Sequence, residues 1–161
     1  VNAERRYVQP EGVAPPPEPY SHVIVVGSTV YVAGQVAFDE AGNTVGRGDP
    51  LAQAEQCWKN IERCLSAAGG TLADVVKVVC YLADIRHAPY EIEVRRRLFP
   101  EGRWPAYTMV QAANLGRDDL LLEIDVTAVL PERGLGRAAL PTARPSAAPA
   151  PGSDTSAGAV G

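Results

Sequence analysis

Long hydrophobic runs are missing from this chain. Nothing in it approaches the ~20 consecutive apolar residues of a membrane-crossing helix, so no membrane partner is expected. An excess of basic residues is missing too. The 15 Lys and Arg are outnumbered by 19 Asp and Glu, giving a net charge of −4. With no positive field to gather phosphates, no nucleic-acid partner is expected. Cysteine is scarce, at three residues, and histidine scarcer, at two. Cys57 and Cys64 fall on one face of a helical pattern but about 10 Å apart, too far to bridge. Cys80 falls in an apolar strand. All three read as small buried hydrophobes in a reducing cytoplasm. No Cys/His spacing fits a metal site. His22 and His87 read as surface histidines at the ends of elements. The N-terminal Val1-Asn-Ala-Glu-Arg-Arg6 does not read as a signal peptide.

What is present suffices for one domain with a real core. Composition is that of a globular protein over residues 1–131. From 132 to 161 the chain turns to Ala, Pro, Gly and Ser, with too little apolar surface to offset the entropy of ordering. That stretch is expected to be a disordered tail.

In chain order, Arg5–Val8 is a short strand candidate, followed by the stiff loop Val13-Ala-Pro-Pro-Pro-Glu-Pro-Tyr20. This loop is either a plain connector or a means of presenting the Tyr20 hydroxyl at a site wall. Two strands, 21–26 and 29–38, flank the hairpin pair Gly27-Ser28. Gly34 interrupts the second, marking either a bend of the sheet or a close backbone approach. Asp49-Pro50 opens a helix as N-cap and first residue. Its apolar stripe runs through Leu51, Ala54, Trp58, Ile61, Leu65 and Ala68 to the stop Gly69-Gly70. Residues 75–82 read as a buried strand.

A second helix is expected over 87–99. Its Arg95-Arg-Arg97 run fans around the axis instead of forming one patch. Glu91 and Glu93 each precede an arginine by four residues, the favourable ion-pair order, so a solvated, paired surface is expected. Residues 104–115 and 120–129 alternate as strands about the polar Gly116-Arg-Asp-Asp119 and read as a hairpin. In the second of these, Leu122, Ile124, Val126 and Ala128 share one face with Leu120. Glu123 lies on the other, where it is either solvated or lines a cavity. The order strands, helix, strand, helix, strands indicates an α+β fold with two helices on one face of a mixed sheet. Association through the open face would enclose Glu123.

Several stretches, in this order, carry a family resemblance: Pro19-Tyr-Ser21, Val32-Ala-Gly-Gln35, Asp49-Pro-Leu-Ala-Gln-Ala-Glu-Gln-Cys-Trp-Lys-Asn60, Gly69-Gly-Thr-Leu-Ala-Asp-Val-Val-Lys77, Trp104-Pro-Ala-Tyr107 and Leu122-Glu-Ile-Asp125. Together they resemble the Rid (YjgF/YER057c/UK114) superfamily from about Pro19 to Leu130. The resemblance implies a chorismate-mutase-like α+β fold and a homotrimer with small-molecule sites in clefts between subunits. It also implies hydrolysis of imines or enamines such as 2-aminoacrylate to ketoacid and ammonia, without a cofactor. Glu123 matches the glutamate thought to orient or activate water. Tyr20 matches a site-wall aromatic, and Ala33 and Gly34 match a small-residue bulge facing the ligand.

The chain departs from the family at the site itself. Tyr107 stands where the archetypal deaminases carry the arginine that takes the substrate carboxylate bidentately, a geometry a phenol cannot copy. Met109 replaces a cysteine or small residue, and Ile92 falls at an asparagine position. The expected function is therefore an imine or enamine hydrolase or tautomerase with Glu123 as acid/base, handling 2-aminoacrylate poorly. The alternative is a non-catalytic ligand-binding or regulatory trimer. RNA cleavage, a role proposed for some relatives, fits the acidic balance least well. Arg103 or an arginine of the second helix is a candidate substitute anchor.

Overall fold

The computed structural model describes residues 4–131. The tail expected over 132–161 lies outside the described residues. Six strands form one sheet: β1 (Arg5–Val8), β2 (Val23–Val26), β3 (Thr29–Gln35), β4 (Val75–Leu82), β5 (Ala106–Gln111) and β6 (Leu122–Val129). Their order across the sheet is β1-β2-β3-β6-β4-β5, antiparallel throughout except for the parallel pair β4–β5.

Two helices, α1 (Pro50–Ala68) and α2 (Ala88–Leu98), complete the fold. The Asp49 carboxylate accepts from the backbone N–H groups of Leu51 and Ala52, satisfying donors that a helix start leaves orphaned. Gly69 closes α1 in the left-handed region at φ 90°, where glycine carries no Cβ penalty. The apolar stripe of α1 shares one buried cluster with the sheet residues Val23, Val30, Val78, Leu122, Ile124 and Val126. Trp58 meets Phe99, at the end of α2, edge to face at 5.5 Å. Burial of this apolar surface holds the two layers together.

Strand alternation leaves the other face of the sheet without a layer over it. Tyr31, Tyr81, Glu123, Asp125 and Thr127 point there, and Tyr31 is 51% exposed.

Four expectations need correction. Strands β5 and β6 are not a hairpin: β4 lies between them, pairing with both. Alternation does not name a strand's partner, and residues 112–121 are long enough to cross the end of β4. There, Ala112 and Ala83 donate to Leu82 and Leu121 at 2.8 and 3.0 Å. Strand β4 is buried on its helix-facing side only, because the sheet is open on the other. His22 is not a surface residue but is 5% exposed; its ring fills the space between the proline loop and β3. Finally, the Glu91–Arg95 pair is not solvated: the two side chains are 0% and 13% exposed. By contrast Arg97, bonded to Glu55 at 2.9 Å and near Glu93 at 3.7 Å, is the surface pair expected.

All three cysteines are free and buried, as the sequence suggested.

Candidate functional site

The site begins with a fault in the sheet. The register of β3 against β6 shifts between Val32 and Gln35, so that Ala33 and Gly34 bulge out of the ladder. Buried polar groups hold the bulge. Gln35 Nε2 donates to the Ala33 carbonyl at 3.0 Å and to His22 Nδ1 at 3.1 Å. The Ala33 N–H donates to the His22 carbonyl at 2.9 Å. Because His22 Nδ1 faces an N–H donor, its proton sits on Nε2, which donates to the Ala14 carbonyl at 2.8 Å. His22 thus ties the proline loop to the bulge, and the ring of Tyr20 packs edge-on against it at 5.2 Å.

Glu123, on β6, lies over this bulge. A Cβ built on Gly34 would fall 1.7 Å from Glu123 Oε1 and 2.6 Å from its Cδ. Only glycine leaves the carboxylate this room. Among the described residues nothing donates a hydrogen bond to it. Burial and, secondarily, the Asp125 carboxylate raise its pKa. Asp125 is itself raised, mainly by burial, while Tyr81 Oη donates to it at 3.2 Å. Tyr20 is raised as well, by burial and then by Glu123.

Glu123, Tyr20, Ala33 and Gly34 line one cleft of about 460 Å³, closed further by Phe38 and Leu120. Arg117 stands at its rim with its guanidinium 4.9 Å from the Phe38 ring. Its Nε and Nη2 are already committed to Asp119 at 3.2 Å each. An unpaired carboxylate of raised pKa beside an open apolar cleft can take a proton from water and return it. Phe38 and Arg117 were not legible as site residues: one follows a strand, the other sits in a polar connection, and nothing in the sequence joins them.

The remaining sequence candidates lie elsewhere. Tyr107 and Met109 sit in register with Val78 and Cys80, which share the helix-covered face, whereas Glu123 is in register with Tyr81 on the open face. Ile92 is half-buried on α2. Within one protomer these three do not join Glu123. Tyr107 Oη donates to Glu91 Oε2 at 2.7 Å, and burial, then Cys80 and Glu91, push this phenol well above its usual range. The hydroxyl is therefore spent on Glu91. No group of three or more His, Cys, Asp or Glu residues suited to a metal exists among the described residues. None of the described helices is long and apolar enough to cross a membrane.

A six-stranded mixed sheet with two helices on one side and a carboxylate-bearing cleft on the other defines an α+β class with an open, acid-lined site. Residues 11–130 match the family model described as Endoribonuclease L-PSP, and the chain belongs to this family, within the Rid superfamily. It is 37% identical over 120 residues to the 3-aminoacrylate deaminase RutC of Acinetobacter baylyi, covering 74% of this chain and 94% of that one. It is 32% identical over 111 residues to the human 2-iminobutanoate/2-iminopropanoate deaminase, covering 69% and 80%. The crystal structure of RidA from an Antarctic Psychrobacter superposes with a TM-score of 0.72 at 34% identity, covering 78% and 99%. The superfamily and fold read from the sequence are those found.

Proposed function

We propose that this chain is a cofactor-independent deaminase of imino or enamino acids, working as a cytoplasmic homotrimer with sites in the clefts between protomers. The observation that carries this reading is the Glu123 carboxylate, held over Gly34 at the wall of an open cleft with no protein hydrogen bond of its own. The relatives named for 3-aminoacrylate and for 2-iminobutanoate and 2-iminopropanoate act on compounds of this class. A trimer also accounts for the uncovered sheet face and for the separation of Tyr107, Met109 and Ile92 from Glu123. Residues on opposite faces of one sheet share a site only if two protomers supply them.

The chemistry balances without further groups. Glu123 takes a proton from water as the oxygen adds to the C=N carbon, giving a carbinolamine. It passes that proton to the nitrogen, then takes the carbinolamine's hydroxyl proton as the C=O bond forms. This second proton goes to the departing nitrogen as the C–N bond breaks, so that ammonia and a ketoacid leave and the carboxylate is regenerated. An enamino acid enters this sequence after tautomerising to the imine. A raised carboxylate pKa brings the base and acid forms of Glu123 closer in population near neutrality. Tyr107, which donates to Glu91, does not supply the charged fork of the archetype. Turnover of 2-aminoacrylate should therefore be poor. The loss of a charge-assisted anchor corresponds to about 2–5 kcal/mol of binding.

The test is ammonia and ketoacid release from freshly generated 2-aminoacrylate and 2-iminobutanoate. Glu123→Gln should lower turnover by about 10²–10⁴-fold while ligand binding and the trimer persist. Undiminished turnover in that variant would leave a ligand-binding trimer as the better account. Archetype-like rates on 2-aminoacrylate would remove the argument from Tyr107.

A further inference from the structure

On the α2–β5 side of the molecule, Arg95 is held in a buried frame. The Arg95 guanidinium lies 3.7 Å over the Tyr107 ring, and its Nε donates to Glu91 Oε1 at 3.2 Å. Glu91 is fully buried and accepts from Tyr107 as well. A single acid therefore fixes both the arginine and the ring beneath it. Arg95 is only 13% exposed, yet its Nη1 and Nη2 donate to no acceptor among the described residues. The other arginines among the described residues are more exposed or have an Nη atom already engaged. The guanidinium of Arg117 is bound by Asp119, and that of Arg86 by Asp84. Arg103 is exposed, and its side chain makes no hydrogen bond among the described residues.

A guanidinium stacked on an aromatic face, fixed along one edge and open along the other, is pre-organised for a planar bidentate anion. Ile92, one helical turn before Arg95, and Met109, on the same strand face as Tyr107, place apolar side chains on the same two elements.

We infer that Arg95 is the substrate-carboxylate anchor of this protein, its fork presented by the Glu91–Tyr107 frame in place of an arginine at position 107. This rests on the reading above of a site shared between protomers, and it adds to that reading the residue that holds the substrate carboxylate. Glu91 offsets part of the Arg95 charge. The anchor is thus weaker than an uncompensated arginine, in keeping with poor handling of 2-aminoacrylate.

The experiment measures binding of 2-oxobutanoate and of its methyl ester to the full chain by isothermal titration calorimetry. Wild type and Glu123→Gln should prefer the acid over the ester by about tenfold or more. Removing Arg95 alone leaves Glu91 buried and unpaired, so the informative variant is the double Glu91→Gln/Arg95→Gln, checked for its melting transition. It should lose the preference, and Arg95→Lys, which keeps charge without the fork, should retain only part of it. Arg103→Gln should bind as wild type does. The inference falls if the acid preference survives in a folded double variant, if it disappears in Arg117→Gln instead, or if wild type shows none. Arg95-dependent acid binding without ammonia release from any imino acid would keep the anchor and remove the deaminase. Deamination without Arg95-dependent acid binding would do the reverse.

Discussion

Glu123 and Gly34 are in a contact that leaves no room for a side chain at position 34: the Glu123 carboxylate fills the space where one would begin. The two residues come from neighbouring strands, β6 and β3, and meet because β3 bulges at Ala33-Gly34. The bulge is maintained from below by Gln35 and His22, so the position of the acid depends on buried polar groups that never touch the cleft.

Gly34→Ala should therefore separate structure from activity. Its backbone lies outside the left-handed region, so alanine is tolerated conformationally. The new methyl nevertheless forces the carboxylate away by more than 1 Å. A displacement of that size costs about 10²-fold in a positioned reaction. Turnover should fall by about that factor with the melting temperature nearly unchanged. A fully active Gly34→Ala protein would show that the carboxylate's present position is not the working one.

Much of this was legible in the sequence because it depends on local periodicity. The Asp49-Pro50 start, the Gly69 stop, and the face alternation of residues 122–128 follow from backbone geometry alone. Gly34 and Glu123 could each be singled out as out of place in a strand, though not as partners. Strand adjacency was not legible: a period of two is the same whether β6 pairs with β5 or with β4. The buried state of His22, Glu91 and Arg95 was hidden for a related reason. A charged or polar side chain reads as solvated until the partners that satisfy it are placed by tertiary structure.

The raised pKa of Glu123 makes stability depend on pH in a stated direction. Its folded-state pKa lies above the ordinary value of 4.5, so between the two the native state holds more protons than the unfolded state. Stability contributed by this group therefore falls as pH rises through that window. Glu123→Gln, which cannot ionise, should melt like wild type below pH 4.5 and at higher temperature above the window. Melting curves of the two proteins from acid to neutral pH check this. A gap that narrows with rising pH would contradict the assigned burial.

The thiols should be chemically silent in the native state. Burial pushes Cys64 and Cys80 up to about 12, and Cys57 is raised well above its usual value. The reactive thiolate is then a negligible fraction at pH 8. Titration with an aromatic disulfide reagent should find no fast thiol in native protein and all three after denaturation. Rapid labelling of even one native thiol would indicate an opening that the packed core does not provide.

The Glu91–Arg95–Tyr107 cluster should respond unequally to removal of its parts. Arg95→Ala strands a fully buried carboxylate and should destabilise by about 3–5 kcal/mol. Tyr107→Phe removes one of two donors to Glu91 while keeping the ring under the guanidinium, and should cost only about 1–3 kcal/mol. Replacing both charges, as in Glu91→Met/Arg95→Met, fills similar volume without desolvating ions and should leave stability near wild type. Denaturant melts of the three variants test this order. If the double variant is as unstable as Arg95→Ala, the pair holds the fold through packing that methionine cannot reproduce. If it is stable but no longer binds acids, the buried pair is retained for the ligand and not for the fold.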